Sequence, residues 1–113
     1  MEIKFANKKL DKFANDYKKC QKEMGAVRAK LYFMRLGDLA KANTLEDVRY
    51  LPGNFHELKL NRKGQWACDL DQPYRLIFTP LIRPIPTNES GQYIWIEIIS
   101  IEIVEIINYH KEK

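Results

Sequence analysis

The period of the hydrophobic pattern changes once along the chain, and this change constrains the fold more than any other feature. Between residues 10 and 34, apolar side chains recur every three or four positions, and lysines fill five of the positions between them. The members of this stripe are Leu10, Phe13, Tyr17, Cys20, Met24, Val27, Leu31 and Met34. Such spacing places them along one side of helical structure. The alternation that begins at Trp66 is instead typical of β-strands.

Local signals divide the first half of the chain into elements. Residues 1–5 alternate as a short strand does, and Asn7 then offers a side-chain oxygen that caps a helix. Gly25 interrupts the stripe where a left-handed C-terminal cap lets the chain turn back. We therefore predict two antiparallel helices, with a coiled coil as the competing interpretation. Residues 44–47 resemble a capping box and predict one more helical turn, which the Pro-Gly pair at 52–53 ends.

The second half of the chain carries β signals. Residues 66–71 and 74–79 alternate between apolar and more polar side chains, and Asp71-Gln72-Pro73 between them predicts a hairpin connection. The prolines and glycine of residues 80–91 are typical of an exposed loop. Residues 93–107 return to β-branched side chains. Because the glutamates at 97, 102 and 105 do not keep one parity, we predict a bend or bulge near Ser100.

Together these segments predict one α+β domain that spans residues 1–113. Two N-terminal helices are expected on one face of a small, mainly antiparallel twisted sheet, which leaves the other face available for function. A chain of 113 residues with 45% hydrophobic content is long enough for one compact core and too short for two ordinary domains.

The sequence excludes several classes of protein. No stretch approaches the roughly 20 apolar residues that cross a bilayer, and the start of the chain lacks the apolar core of a signal peptide. We therefore expect a cytoplasmic protein without membrane association. Cys20 and Cys68 stand far apart and outside any Cys-x-x-Cys pair, so we interpret both as buried small apolar residues. No metal ion or cofactor is expected.

The net charge of +4 is distributed unevenly along the sequence. Residues 1–65 hold 15 Lys and Arg against 8 Asp and Glu, whereas residues 66–113 hold 4 against 7. This asymmetry allows an anionic partner for the first part of the chain, although a lysine-rich helix is commonly just a solvated surface.

Residues with useful chemistry concentrate around the two histidines. His56 is followed by the cations Lys59, Arg62 and Lys63, and Arg75 lies on a predicted strand soon after; the other histidine ends the Asn108-Tyr109-His110 triplet. Histidine serves as acid or base near neutral pH, and arginine donates paired hydrogen bonds to phosphate. The competing interpretation is a surface histidine with Arg75 in a salt bridge to Asp69 or Asp71. Trp66 is expected in the core under either interpretation.

The order of these motifs resembles the HigB branch of the RelE/ParE superfamily, the plasmid maintenance killer toxins of type II toxin-antitoxin systems. The resemblance covers most of the chain, and its specific part runs from His56 to Phe78. The matching pieces are Leu51-Pro-Gly, His56-x-Leu58-Lys59, Asn61-Arg62-Lys63-Gly64-Gln65-Trp66, Asp69-Leu70-Asp71-x-Pro73-Tyr74-Arg75-Leu76-Ile77-Phe78, Glu102-Ile103 and Tyr109-His110.

This resemblance implies a RelE-like fold and a metal-independent endoribonuclease that cleaves mRNA in the ribosomal A site. A cognate HigA-like antitoxin with a helix-turn-helix domain would hold it inactive. By matching position, the resemblance assigns a catalytic role to His56, Arg75, Tyr109 and His110, and RNA binding to Lys59 and Arg62. In this assignment the two histidines share the proton transfers, Arg75 with Lys59 neutralises the phosphate, and Tyr109 supports the reacting nucleotide.

The chain departs from the family pattern at two positions. Asn108 stands where an acidic residue usually precedes the Tyr-His pair, and an amide neither acts as a base nor influences a histidine by charge. Leu60 replaces the usual glycine after Lys59, which affects the backbone shape there. Asn108 therefore keeps open a catalytically degenerate RelE-fold protein that retains antitoxin binding. A ParE-like inhibitor of DNA gyrase is the other alternative, because the superfamily includes such members.

Overall fold

A computed structural model of the chain describes residues 1–110. The fold is α+β, as predicted, with four α-helices and a five-stranded mixed sheet in this part of the chain. The strands are β1 (Glu2–Phe5), β2 (His56–Glu57), β3 (Trp66–Asp69), β4 (Tyr74–Pro80) and β5 (Ser100–Asn108). The helices are α1 (Lys8–Asn15), α2 (Tyr17–Met24), α3 (Ala26–Lys41) and α4 (Leu45–Val48), and short 3₁₀ turns occupy Leu60–Arg62 and Trp95–Glu97.

The helical stripe forms three helices, so the prediction of two was wrong in number. The expected cap at Asn7 is confirmed, because its Oδ1 accepts from the Leu10 amide at 2.8 Å. The break at Gly25 is also confirmed, with φ at +90°. The additional break lies at Asp16, whose extended backbone ends α1 and whose carboxylate accepts from the Lys19 amide to start α2. The apolar spacing continues across Asp16, so the pattern gives no sign of this break.

The sheet has the strand order β1-β5-β4-β3-β2. Three of its pairings are antiparallel, including the predicted hairpin of β3 and β4, whereas β1 lies parallel to β5. Directly opposite residues of paired strands share a face of the sheet. One face carries Trp66, Phe78 and Ile103, which pack in the same core cluster as the buried side chains of α1, α2 and α3. The helices therefore cover this face, and Trp66 is a core residue with no exposed surface.

The opposite face, which we call the site face, carries two rows of neighbouring residues. One row is His56, Ala67, Ile77 and Glu105, and the other is Asp69, Arg75 and Ile107. The site face is less open than predicted, since Ala67 and Ile77 are fully buried. Arg62, from the loop that joins β2 to β3, reaches across this face to Glu105.

The predicted irregularity of β5 exists, but not near Ser100, where the strand simply begins. The pairing with β4 shifts between Ile77 and Phe78, so that Val104 is the extra residue. This bulge places Glu102 opposite Thr79 and Glu105 opposite Ile77. Both glutamates therefore lie on the site face although they are three residues apart, which explains the broken parity of the sequence.

The core confirms the interpretation of both cysteines, because Cys20 and Cys68 are free thiols with no exposed surface. Burial raises the pKa of each thiol. Burial also raises the pKa of Tyr32, whose hydroxyl donates to the Leu10 carbonyl at 2.8 Å. Among residues 1–110, no helix has the length and apolar character that a membrane crossing requires.

Candidate functional site

The residues at the end of β5 form a stack with Arg75. The Arg75 guanidinium carbon lies 4.0 Å from the centre of the Tyr109 ring, and the centres of the Tyr109 and His110 rings are 4.5 Å apart. The Tyr109 amide donates to the Pro73 carbonyl, and its hydroxyl donates to Gln72 Oε1 at 2.7 Å. Main-chain pairing therefore brings the terminal Tyr-His pair to the strand that carries Arg75.

His56 lies on the same sheet face, on the edge strand β2. Its Nδ1 is 2.6 Å from the carbonyl oxygen of Asn54. A carbonyl oxygen only accepts, so Nδ1 carries the proton and donates it. The neutral ring consequently keeps its lone pair on Nε2, which is the arrangement of a general base.

Asn54 and Asp69 connect His56 with Arg75. The Asn54 side-chain amide lies 3.3 and 3.4 Å from the two carboxylate oxygens of Asp69, and Asp69 Oδ1 lies 3.6 Å from Arg75 Nε. By strand geometry the Cα atoms of His56 and Arg75 are about 12 Å apart, two strands across and two residues along. Contacts therefore run without interruption from His56 through Asn54, Asp69 and Arg75 to Tyr109 and His110.

Two salt-bridge partners were considered for Arg75. The one with Asp69 is present, and the one with Asp71 was wrong. Asp71 instead accepts two hydrogen bonds from Arg28 of α3, at 2.9 and 3.2 Å, and these raise the pKa of Arg28. The Arg28 guanidinium also lies 3.5 Å from the centre of the Tyr74 ring. The Nε of Arg75 is buried and has no hydrogen-bond acceptor among residues 1–110. Its charge is thus held in place chiefly by the Tyr109 ring.

Lys59 and Arg62 take different positions. Arg62 donates to Gln65 Oε1 at 2.8 Å and to Glu105 Oε2 at 3.3 Å, so its guanidinium lies on the site face. Lys59 is exposed at the start of the 3₁₀ turn, and its carbonyl accepts from the Arg62 amide at 3.1 Å. Its side chain has no hydrogen bond, ion pair or ring contact with the other five predicted site residues in the described part of the chain. The structure therefore brings five of the six residues to one face and leaves Lys59 at its margin.

Leu60 adopts the left-handed backbone conformation that glycine favours. Its φ is +56°, and 90% of its surface is exposed. A leucine in this region loses free energy through the clash of its Cβ with the backbone. The turn after Lys59 thus has a conformation suited to glycine even though the residue here is leucine.

Asn108 has a local structural role. Its Oδ1 accepts from the His110 amide at 3.1 Å and so closes the terminal turn that carries Tyr109 and His110. Asparagine and aspartate form such turns equally well. Asn108 also pairs with Tyr74, which assigns it to the helix-covered face rather than the site face.

Sequence reasoning missed Asn54 and Gln72 and treated Asp69 only as a salt-bridge partner. A signal for Asn54 was present, because asparagine after Pro52-Gly53 is typical of a left-handed turn residue, and its φ is +56°. Within residues 1–110, no group of three or more His, Cys, Asp or Glu side chains is arranged to hold a metal ion.

The lysines that make the first part of the chain basic lie mainly on the helices. We call the exposed group on α1 and α2 the lysine surface, and it comprises Lys8, Lys9, Lys12, Lys18, Lys19 and Lys22. These helices pack in the core cluster on the other face of the sheet, so the lysine surface belongs to the helix layer and the site face belongs to the sheet. The charge asymmetry of the sequence therefore does not mark the candidate site.

Comparison of the chain with protein-family models gives no match, and comparison with curated proteins gives none either. The resemblance to HigB toxins consequently depends on the residues quoted for it and on their arrangement on the site face.

Proposed function

We propose that this protein is the toxin of a type II toxin-antitoxin system, a ribosome-dependent mRNA endoribonuclease of the RelE/HigB type that acts in the cytoplasm. The observation that supports the proposal is the continuous set of contacts from His56 to His110 across one sheet face. A metal-free ribonuclease needs a base, an acid and a fixed positive charge near one phosphodiester. These groups are available on the site face.

In the proposed reaction, His56 Nε2 accepts the proton of a ribose 2′-OH, and the 2′-oxygen attacks the adjacent phosphorus. The bond from phosphorus to the 5′-oxygen breaks, and protonated His110 gives that oxygen its proton. The products are a 2′,3′-cyclic phosphate and a 5′-hydroxyl end. The assignment of His56 as the base follows from its Nδ1–H bond to Asn54, because this bond leaves Nε2 able to accept a proton.

Arg75 stabilises the negative charge that develops on the phosphorane. A guanidinium donates paired hydrogen bonds to phosphate, and the guanidinium of Arg75 lies against the ring of Tyr109. Lys59 approaches the phosphate from the exposed turn, and Arg62 binds the backbone of a flanking nucleotide. Tyr109 supports the reacting nucleotide beside the stack. The partners in this proposal are mRNA in the ribosomal A site and a HigA-like helix-turn-helix antitoxin.

The test is expression without an antitoxin, combined with mapping of mRNA 5′ ends on stalled ribosomes. The wild-type chain is expected to stop growth and to generate 5′-hydroxyl ends within A-site codons. His56→Ala and His110→Ala are each expected to reduce cleavage about 100-fold or more, as loss of an acid or base typically does. Lys30→Ala on the exposed side of α3 serves as a matched surface control.

Growth arrest that persists in both histidine variants would contradict the nuclease. Arrest with intact mRNA and a DNA-damage response would instead support a ParE-like gyrase inhibitor.

A degenerate toxin is the second candidate, and the exposed position of the Lys59 side chain at the margin of the site face favours it. The variant Asn108→Asp distinguishes an active nuclease from a toxin that the asparagine has made degenerate. Because the Asn108 side chain already closes the terminal turn, the nuclease hypothesis predicts less than about threefold change in cleavage. A large gain in cleavage would identify the native asparagine as a defect.

A further inference from the structure

Arg35 of α3 is a buried charge without a carboxylate partner among residues 1–110. Only 9% of its surface is exposed. Its Nε donates to the main-chain carbonyl of Asp69 at 2.7 Å, and its Nη1 lies 3.8 Å from the Met34 sulfur. Burying a charged group without a counter-charge is unfavourable, so an apolar side chain of similar size would suit a purely structural position better. The unusual choice of arginine points to a role beyond packing.

The guanidinium of Arg35 packs directly against the backbone of Gly53. A Cβ added to Gly53 would lie 2.8 Å from the guanidinium carbon, and the φ of Gly53 is +120°. The Gly53 carbonyl in turn accepts from the Asp69 amide at 2.8 Å. Arg35 therefore contacts both sides of the Gly53–Asp69 junction from behind the sheet, where glycine alone leaves it enough space.

This junction supports both halves of the candidate site. Gly53 is followed by Asn54, whose carbonyl receives the Nδ1 proton of His56. Asp69 lies beside Arg75 and receives the Asn54 side-chain amide. If the junction opens, the Asn54 carbonyl moves away from His56, and the ring loses the contact that selects its tautomer.

We propose that Arg35 is a positioning residue which locks residues 53–54 against Asp69 and thereby holds His56 in the Nδ1–H tautomer, with Nε2 as the proton acceptor. The tautomer part of this proposal concerns the folded protein alone. The catalytic part rests on the proposed function, and it adds that Arg35, on the helix layer behind the sheet, orients the general base His56.

The decisive measurement is the ¹⁵N NMR signature of the His56 ring. Spectra are recorded on the high-pH plateau, where the ring shifts no longer change with pH. The wild type is expected to show a protonated Nδ1 and an unprotonated Nε2. Arg35→Met, which keeps length without the charge or donor, is expected to give the averaged shifts of a ring that samples both tautomers. A folded Arg35→Met protein with wild-type ring shifts would overturn the proposal.

A pair of glycine variants tests the same junction without removing Arg35. Gly53→Ala forces the guanidinium away, whereas Gly91→Ala places the same methyl at a position with positive φ and nothing within 4 Å. Gly53→Ala is expected to disturb the His56 tautomer, and Gly91→Ala is expected to leave it unchanged. Equal effects of the two variants, or none from either, would overturn the proposal even if Arg35→Met fails to fold.

Activity supplies a separate measurement. With ribosome-bound mRNA, Arg35→Met is expected to lower kcat about 100-fold and to change KM less than about threefold, because a misplaced base slows the chemical step. A wild-type chain that does not cleave RNA would refute the proposed function, while the ring shifts would still decide the role of Arg35. A normal tautomer together with a normal kcat in folded Arg35→Met would refute the positioning role alone.

Discussion

The lysine surface and the site face both carry cationic side chains, and they differ in how these charges are held. On the lysine surface, six exposed side chains share two short helices, and none has a carboxylate within ion-pair distance in the described residues. On the site face, Arg75 lies against a tyrosine ring and an aspartate, and Arg62 is bound to a glutamine and a glutamate. Fixed geometry, and not the number of cations, is what catalysis requires.

The largest expected effect is a fall in kcat when the site face is substituted, with little change when the lysine surface is substituted. Arg75→Lys keeps the charge but loses the guanidinium contact with Tyr109 and the forked donors, so kcat for ribosome-bound mRNA is expected to fall about 100-fold. The triple variant Lys12→Ala, Lys19→Ala, Lys22→Ala is expected to change kcat less than about threefold. Single-turnover cleavage on programmed ribosomes measures both. A greater loss of kcat in the triple variant than in Arg75→Lys would reverse the comparison.

The next prediction compares two buried thiols, that of Cys68 in the sheet and that of Cys20 in the helix layer. Burial raises the pKa of Cys68 in the sheet strongly and that of Cys20 in the helix layer less. A thiol whose pKa is raised on folding stabilises the protein fully below the unfolded pKa of about 8.5, and this stability is lost as pH rises above it. At one pH unit above that value, Cys68 accounts for a loss on the order of 1 kcal/mol in the free energy of unfolding.

Denaturant unfolding between about pH 8 and 9.5, below the ordinary tyrosine pKa of about 10, tests this difference. Cys68→Ala is expected to flatten the pH dependence more than Cys20→Ala does. The opposite order would mean that the helix layer is the drier part of the core.

The fold was largely predictable because its signals are local. The three-and-four spacing, the Asn7 cap, the Gly25 break and the alternation on either side of Asp71-Gln72-Pro73 each depend on neighbouring residues. The break at Asp16 and the bulge at Val104 were not predictable in the same way. Aspartate is compatible with a helix, and the apolar spacing continues past it; the bulge depends on pairing with β4, a distant segment of the chain.

The candidate site was also predictable only where its signals are local. The six predicted residues came from matching motifs, whereas Asn54 and Arg35 act through contacts that no local pattern reports. Arg35 falls within an amphipathic helix, where an arginine is ordinarily a solvated residue, and only the tertiary structure places it against Gly53 and Asp69. Residues that orient the site through tertiary contacts are therefore the hardest part of a site to predict from sequence.

A smaller effect concerns the strained turn at the margin of the site face. Leu60→Gly is expected to raise the free energy of unfolding by about 0.5–1 kcal/mol, because glycine removes the left-handed strain and the exposed leucine has little packing to lose. Ile82→Gly is the control, since Ile82 is about half exposed and has no positive φ, and there glycine is expected to destabilise the fold. Thermal and urea unfolding of both variants provide the measurement, and destabilisation by Leu60→Gly would show that its side chain is packed.

The smallest expected effect belongs to the lysine surface. Lys8 begins α1, where the helix dipole disfavours a cation, and Lys12 lies one turn further along the same helix face. Lys8→Glu exchanges this repulsion for an attractive pair, so we expect a gain of about 0.3–0.5 kcal/mol in the free energy of unfolding at low salt, with kcat unchanged. The gain should disappear at about 1 M salt, where charges are screened beyond about 3 Å. If Lys8→Glu instead lowered kcat as strongly as Arg75→Lys, the lysine surface would take part in the chemistry, and geometry would no longer distinguish the two regions.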